Sequence, residues 1–174
     1  TTGRLLDASK RFTALSLAAS AFLFSAMGSA HAMKIQEITS PGGIKAWLVE
    51  EHRVPLMALR FTFDGGNTQD PVGKEGVANF LTGMLDEGAG DLNAQTFQRR
   101  VEELALRFSF DDGRDNLYGS FETLTENRDA AVALVKLAIT KPRFDADAVD
   151  RVRNQLLASL VFAARDPDKL ASEK

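Results

Sequence analysis

The stretch that most constrains this chain is GVANFLTGMLDEGAG, residues 76–90. Val77, Phe80, Leu81, Met84 and Leu85 recur at i, i+3, i+4, i+7 and i+8, one apolar stripe at helical period, and Gly88 and Gly90 stand where a helix stops. The spacing therefore predicts a helix. At about 100° per residue, Asn79, Thr82 and Gly83 fall on the side away from that stripe, a face that is exposed or lines a cleft. Positions 79 and 83 are one turn apart, the geometry two metal-binding histidines need, yet the pair is Asn and Gly. On these residues alone, an amphipathic helix with a small polar outer face is the simplest reading.

Around this helix, strand and helix signals alternate. KIQEIT (34–39), AWLVEE (46–51) and PLMALRFTF (55–63) read as strands, the first two joined by the turn SPGG and the third carrying Met57, Leu59, Phe61 and Phe63 on one face. A second helix is expected from about Asn93, with Phe97, Val101, Leu104, Ala105 and Phe108 on its stripe. Residues 107–111 and 116–124 read as a hairpin turning at Asp112-Gly113. Thr123-x-x-Glu126 is a capping-box pattern for a third helix that ends before Lys141-Pro142. A fourth helix starts near Asp145 and buries Val149, Val152, Leu156, Leu160 and Ala163. Strand runs and helix pairs on one chain indicate an α+β layer structure. The last helix runs to Asp166-Pro167 and Lys174 without a cap or tail, which reads as a domain cut short at its C-terminal end.

Composition narrows the function. With 174 residues, 44% hydrophobic and 26% charged, the chain has material for about one core. It contains no cysteine, which excludes disulfides, thiolate metal sites and cysteine nucleophiles. Its formal charge is −3, and no Lys/Arg run follows Arg11, so nucleic acid is not an expected partner. Arg4, Lys10 and Arg11 precede the apolar run FTALSLAASAFLFSAMGSA, and Ala30-His31-Ala32 supplies a small-x-small cleavage pattern. Residues 1–32 are thus expected to be a signal peptide, the run being shorter and more interrupted than a membrane span. Residue 1 is Thr rather than Met. The mature part, 33–174, would carry 18 Lys and Arg against 23 Asp and Glu, a charge of −5, in an exported, periplasmic protein with no membrane segment after cleavage.

The remaining polar clusters have ordinary explanations. His52 reads as a surface histidine in the turn before Pro55. Asp86 and Glu87, and Asp111, Asp112 and Asp115, lack the spacing of a calcium loop and read as solvated turn acids. Gly65-Gly66 and Gly88-x-Gly90 lack the Lys-Ser/Thr of a phosphate loop and read as turns. Arg99-Arg100, Arg151 and Arg153 read as surface charge, and Trp47 and Tyr118 as core or edge packing.

The order of AWLVEEHRVPLMALRFTFDGGNTQDPVGKEGVANFLTGMLDEGAG, NLYGSFETL and LVKLAITKPRFDADAVDRVRNQLLASL resembles the first part of the M16 (pitrilysin/insulinase-like) peptidase family. Gly65-Gly66, Gly73-x-x-Gly76 and Pro142-x-Phe144 carry the resemblance most specifically. It implies a truncated M16 metallopeptidase-like (LuxS/MPP-like) half-domain, an α+β fold whose antiparallel-rich sheet is packed by helices. Such half-domains work in pairs around a chamber where peptides are held as an added strand. Active members carry His-x-x-Glu-His on the helix of residues 76–90, two imidazoles for Zn²⁺ and a glutamate base, with a later glutamate as third ligand. By this resemblance Asn79 stands at the first histidine, Thr82 at the base and Gly83 at the second histidine. The third ligand would fall within a turn of Ser159, and residues 154–164 contain no acid. Asn binds zinc poorly, Gly offers no side chain, and a Thr hydroxyl does not serve as a base near neutral pH.

The resemblance thus implies a chain with no catalytic, cofactor or metal residues of its own. It would be a non-catalytic, peptide-holding or structural subunit beside a zinc-bearing M16 partner, the pair binding a peptide or unfolded protein. Two alternatives stay open: a zinc-dependent metalloendopeptidase whose active site lies outside this segment or uses other ligands, and a purely architectural subunit.

Overall fold

The computed structural model describes residues 34–165; the expected signal peptide and Asp166-Pro167 lie outside that range. The described chain forms two compact units that divide after His52. The first holds β1 (Ile35–Thr39) and β2 (Lys45–Val49), an antiparallel hairpin in the register Ile35 opposite Val49 and Thr39 opposite Lys45. Ser40 closes its turn, its Oγ accepting from the Ile44 N–H at 3.0 Å. Trp47 does not serve as the core or edge packing the sequence suggested: it is 82% exposed.

The second unit is built on a three-stranded antiparallel sheet in the order β3 (Leu56–Asp64), β7 (Asn116–Leu124), β6 (Arg107–Asp112). Alternation sorts its faces. Phe61, Met57, Phe108, Phe110 and Phe121 turn toward the helices, whereas Arg60, Thr62, Ser109, Asp111 and Ser120 form a polar face. Four edge-to-face aromatic pairs, from Phe61–Phe63 at 5.5 Å to Phe61–Phe110 at 6.3 Å, line the helix-facing side of the sheet, and Phe97–Phe108 joins it to a helix. β6 pairs with β7 on one side, and no described strand pairs with its other side.

The helices form two cores. α2 (Ala94–Glu103) and α3 (Arg128–Thr140) bury Phe97, Leu104, Ala131, Leu134, Val135 and Ala138 against Phe121. α1 (Val77–Met84) and α4 (Ala146–Ala163) make the second, of Met84, Ala148 and Val152 with Phe80, Val149 and Leu156 around them. Asn93 caps α2, accepting from the Thr96 N–H at 2.9 Å. α1 begins without a side-chain cap of its own; Asp70, from the preceding turn, accepts from the Gly76 and Ala78 N–H groups at 2.7 and 2.9 Å.

Several expectations need correcting. α1 ends at Met84, short of Gly88, because Gly88–Ala89 instead forms the short strand β4 paired with β5 (Leu92–Asn93). Ala105 and Phe108 lie outside α2: Ala105 takes φ 46° to end the helix, and Phe108 reaches the same core from β6. Asp112 is the last residue of β6, so the turn lies beyond it. The Thr123 capping box does not form. Thr123 belongs to β7, its buried hydroxyl donates to the Leu104 carbonyl at 2.9 Å, and α3 starts only after the 3₁₀ turn Thr125–Asn127. Of the residues expected to bury α4, Val152 does, but Leu160 is 64% exposed; the second half of α4 presents Leu157, Val161 and Phe162 as well.

Two features fix the segment that follows α1. Beyond its C-terminal end, Gly90 N–H donates to the Lys141 carbonyl at 2.8 Å and Arg143 N–H to the Gly88 carbonyl at 3.0 Å, so the α3–α4 junction adds to β4. The Arg143 guanidinium then donates to Gly90 O at 3.0 Å and grips both oxygens of Asp145. That guanidinium holds the Asp145 carboxyl below the usual carboxylate range.

Candidate site in the cleft between α1, β6 and α4

α1 lies between the free edge of β6 and α4, and its polar face is spent on both neighbours. Asn79 is exposed, and its Nδ2 donates to Asp112 Oδ1 on β6 at 2.6 Å. Asp112 is therefore a partner of α1 rather than a solvated turn acid. Thr82, placed by periodicity on an outer face, is 7% exposed because α1 is covered from two sides. Its hydroxyl donates back to the Asn79 carbonyl at 2.9 Å, a local bond that fills the donor capacity of a buried group. At Gly83 a Cβ would sit 3.2 Å from Val152 Cγ1, so the missing side chain is what lets α4 pack so closely.

Where α1 ends, a cleft of about 420 Å³ opens between these elements. Thr82, Gly83, Asp86 and Glu87 line it from α1 and the turn that follows, Phe108, Ser109 and Phe110 from β6, and Gln155 from α4. Glu87 is ion-paired to Arg151 of α4. Desolvation raises the Asp86 carboxyl above its ordinary range, and the neighbouring Glu87 charge adds to that rise. A hollow of about 440 Å³ around Arg60, Thr62, Asp111, Tyr118 and Ser120 opens on the polar face of the sheet.

The structure brings together Asn79, Thr82 and Gly83 on one side of the cleft. Ser159, near which a third ligand was sought, is exposed on α4 with its hydroxyl on the Leu156 carbonyl at 2.8 Å; Gln155, one turn earlier, is the α4 residue that faces the cleft. His52 is exposed in the N-terminal unit, with Nε2 3.9 Å from Glu50. Asp115 receives Thr68 Oγ1 at 3.4 Å and Asp111 receives Ser109 Oγ at 3.3 Å, bonds that belong to turns and strands. Among the described residues no group of three or more His, Asp or Glu is arranged to hold a metal ion. The zinc of active family members would find no fit here: Asn79 is bonded to an acid, the Thr82 hydroxyl is turned to its own helix, and position 83 has no ligand atom. Sequence reasoning missed Gln155 and the β6 edge, although the alternation in RFSFD announced an exposed strand.

The model of the insulinase family, peptidase family M16, matches residues 47–173. The chain belongs to peptidase family M16. Over 122 residues it is 30% identical to the "non-peptidase homolog YmxG" of Helicobacter pylori, covering 70% of this chain and 28% of that protein. The crystal structure of a peptidase M16 inactive domain from Pseudomonas fluorescens superposes with a TM-score of 0.73 at 30% identity, over 80% of this chain and 34% of that one. Pitrilysin gives a TM-score of 0.64 at 20% identity, over 78% of this chain and 14% of its own, a likeness of fold alone. This M16 chain thus spans about a third or less of the proteins it matches. The α+β architecture expected from the sequence is that of the M16 half-domain.

Proposed function

We infer that this chain is a non-catalytic M16 protein that holds peptide and does not hydrolyse it. The observation that carries the reading is the state of α1: the three positions aligned with the zinc motif are Asn79, bound to Asp112, Thr82, bound to its own helix, and Gly83, packed on Val152. The names of two relatives, a non-peptidase homologue and an inactive domain, support it. Peptide holding is supported by the edge of β6, whose unpaired side borders the cleft and offers main-chain donors and acceptors to an extended segment. By the same reading the chain is exported to the periplasm after loss of residues 1–32, and a zinc-bearing M16 subunit supplies catalysis in a heterodimer.

The test is to measure zinc content by metal analysis and cleavage of a quenched fluorescent peptide library, for the chain alone and mixed with an M16 chain that carries His-x-x-Glu-His. The expected result is no stoichiometric zinc and no cleavage alone, with altered turnover or affinity in the mixture. Stoichiometric zinc with cleavage by this chain alone would overturn the reading.

A further inference from the structure

The cleft beside β6 is not lined as a neutral peptide channel would be. One wall is aromatic, Phe108 and Phe110 on the strand edge, and Asp86 and Glu87 stand beyond the end of α1. The two acids differ in their surroundings. Arg151 is ion-paired with Glu87 and attracts the Asp86 charge only from farther away; among the described residues no cation lies within ion-pair distance of Asp86. Asp86 is exposed at the border of the cleft, within reach of a bound side chain. An extended segment added to β6 places alternate side chains on the face of Phe108 and Phe110, and those side chains enter the cleft.

We propose that this cleft is a specificity pocket for a lysine or arginine side chain of the bound peptide, its aliphatic stem lying along Phe108 and Phe110 and its cationic head meeting Asp86. The inference rests on the peptide-holding reading and adds to it the class of peptide held. A long side chain with an apolar stem and a charged tip matches an aromatic wall that leads to an acid, and cation–ring attraction adds to the match. A neutral side chain of equal length gains the stem contacts only. An acidic one meets Asp86 with like charge.

The test is fluorescence anisotropy of labelled nine-residue Ala/Thr peptides whose central residue is lysine, norleucine or glutamate. They are titrated with the chain and with its Asp86→Asn and Glu102→Gln variants. Glu102 is an exposed acid on α2 and controls for the overall negative charge. The lysine peptide is expected to bind at least fivefold more tightly than the norleucine peptide. Asp86→Asn should reduce that ratio below twofold without weakening the norleucine peptide, and Glu102→Gln should leave the ratio unchanged. Equal binding of lysine and norleucine peptides, or a ratio that survives Asp86→Asn, overturns the proposal. Copies of the peptides with alternate backbone amides N-methylated separate this from the reading beneath it. If N-methylation does not weaken binding, or no peptide binds, peptide holding on β6 fails and the pocket with it. If N-methylation abolishes binding while the lysine preference is absent, only the pocket fails.

Discussion

If Gly83 is the price of close packing between α1 and α4, then Gly83 and Val152 must be energetically coupled, and the size of the coupling can be worked out. Gly in a helix interior costs about 1 kcal/mol relative to Ala, so Gly83→Ala should stabilise α1 by that amount if nothing opposed it. Opposing it is the Val152 methyl, 3.2 Å from the new Cβ, where carbon atoms prefer about 3.5–4.0 Å. Crowding in a packed core costs about 1–3 kcal/mol, so the single variant should be neutral or destabilised by up to about 2 kcal/mol. Val152→Ala alone should cost about 1–3 kcal/mol, from two lost methyl groups and the space they leave. Made on that background, Gly83→Ala should recover about 1 kcal/mol or more, because the helix gain is unopposed and the new methyl enters the space. The coupling is then at least about 1 kcal/mol. Urea unfolding followed by far-UV circular dichroism measures all four chains; the fluorescence of Trp47, 82% exposed on the hairpin, is a poor reporter of this contact. Additivity within about 0.3 kcal/mol, with Gly83→Ala stabilising by its full helical amount, would refute the packing argument.

Other outcomes follow from single contacts. Restoring histidine, glutamate and histidine at positions 79, 82 and 83 should yield a less stable chain without tight zinc binding, since Val152 crowds position 83 and Asp112 loses its amide donor; isothermal titration with zinc checks it. Phe97→Ala, at a fully buried side chain, should cost about 3–5 kcal/mol in the same unfolding assay. Thr123→Val should cost about 1 kcal/mol, a single net hydrogen bond, because Asn127 Nδ2 still donates to Leu104 O at 3.0 Å. The pH dependence has two opposite parts. Asp145 is held below its ordinary range by Arg143, so its contribution is present above the unfolded carboxylate value and is lost as pH falls through its lower folded one; Asp145→Asn should flatten the acid limb of a stability profile. Asp86 is raised by desolvation, so the folded chain binds that proton more tightly than the unfolded chain. The stabilisation appears as pH falls through the raised value and is absent at neutral pH, and Asp86→Asn should remove it.

Legibility in the sequence followed the physics of each element. Strands with clear alternation and helices with clear stripes were readable: residues 107–111 and 116–124 pair as expected, and α4 starts beside Asp145. The misreadings arose where tertiary contacts outbid local patterns. Thr123-x-x-Glu126 has the spacing of a cap, but the Thr123 hydroxyl satisfies the Leu104 carbonyl inside the core and the strand keeps the residue. Ala105 looked like one more residue of the α2 stripe, yet its φ of 46° ends the helix, which no apolar periodicity encodes. The polar side of α1 lines a cleft at Thr82 and Gly83 as its periodicity suggested, but Thr82 is buried and Val77 of the apolar stripe is 47% exposed, since one helix does not announce how many neighbours will cover it.

That last difference bears on how a helix of this family can do without a metal site. Losing ligands would by itself leave a polar pocket with unpaired groups, which is costly in a protein interior. Here each position that the resemblance aligns with the zinc motif has an occupation of its own: an amide bonded across to β6, a hydroxyl turned to its own helix, and a glycine against which α4 packs. Among the described residues no buried side-chain polar atom is left without a partner. The rearrangement is thus a complete structural alternative to metal binding, and a single substitution back toward histidine meets a neighbour already committed elsewhere. What remains open to solvent is the part of the cleft beyond Gly83, bordered by the edge of β6 and by Asp86. On the proposed reading, α1 holds no reactive group while the edge of β6 stays open to an extended segment, the separation that a peptide-holding role without hydrolysis requires.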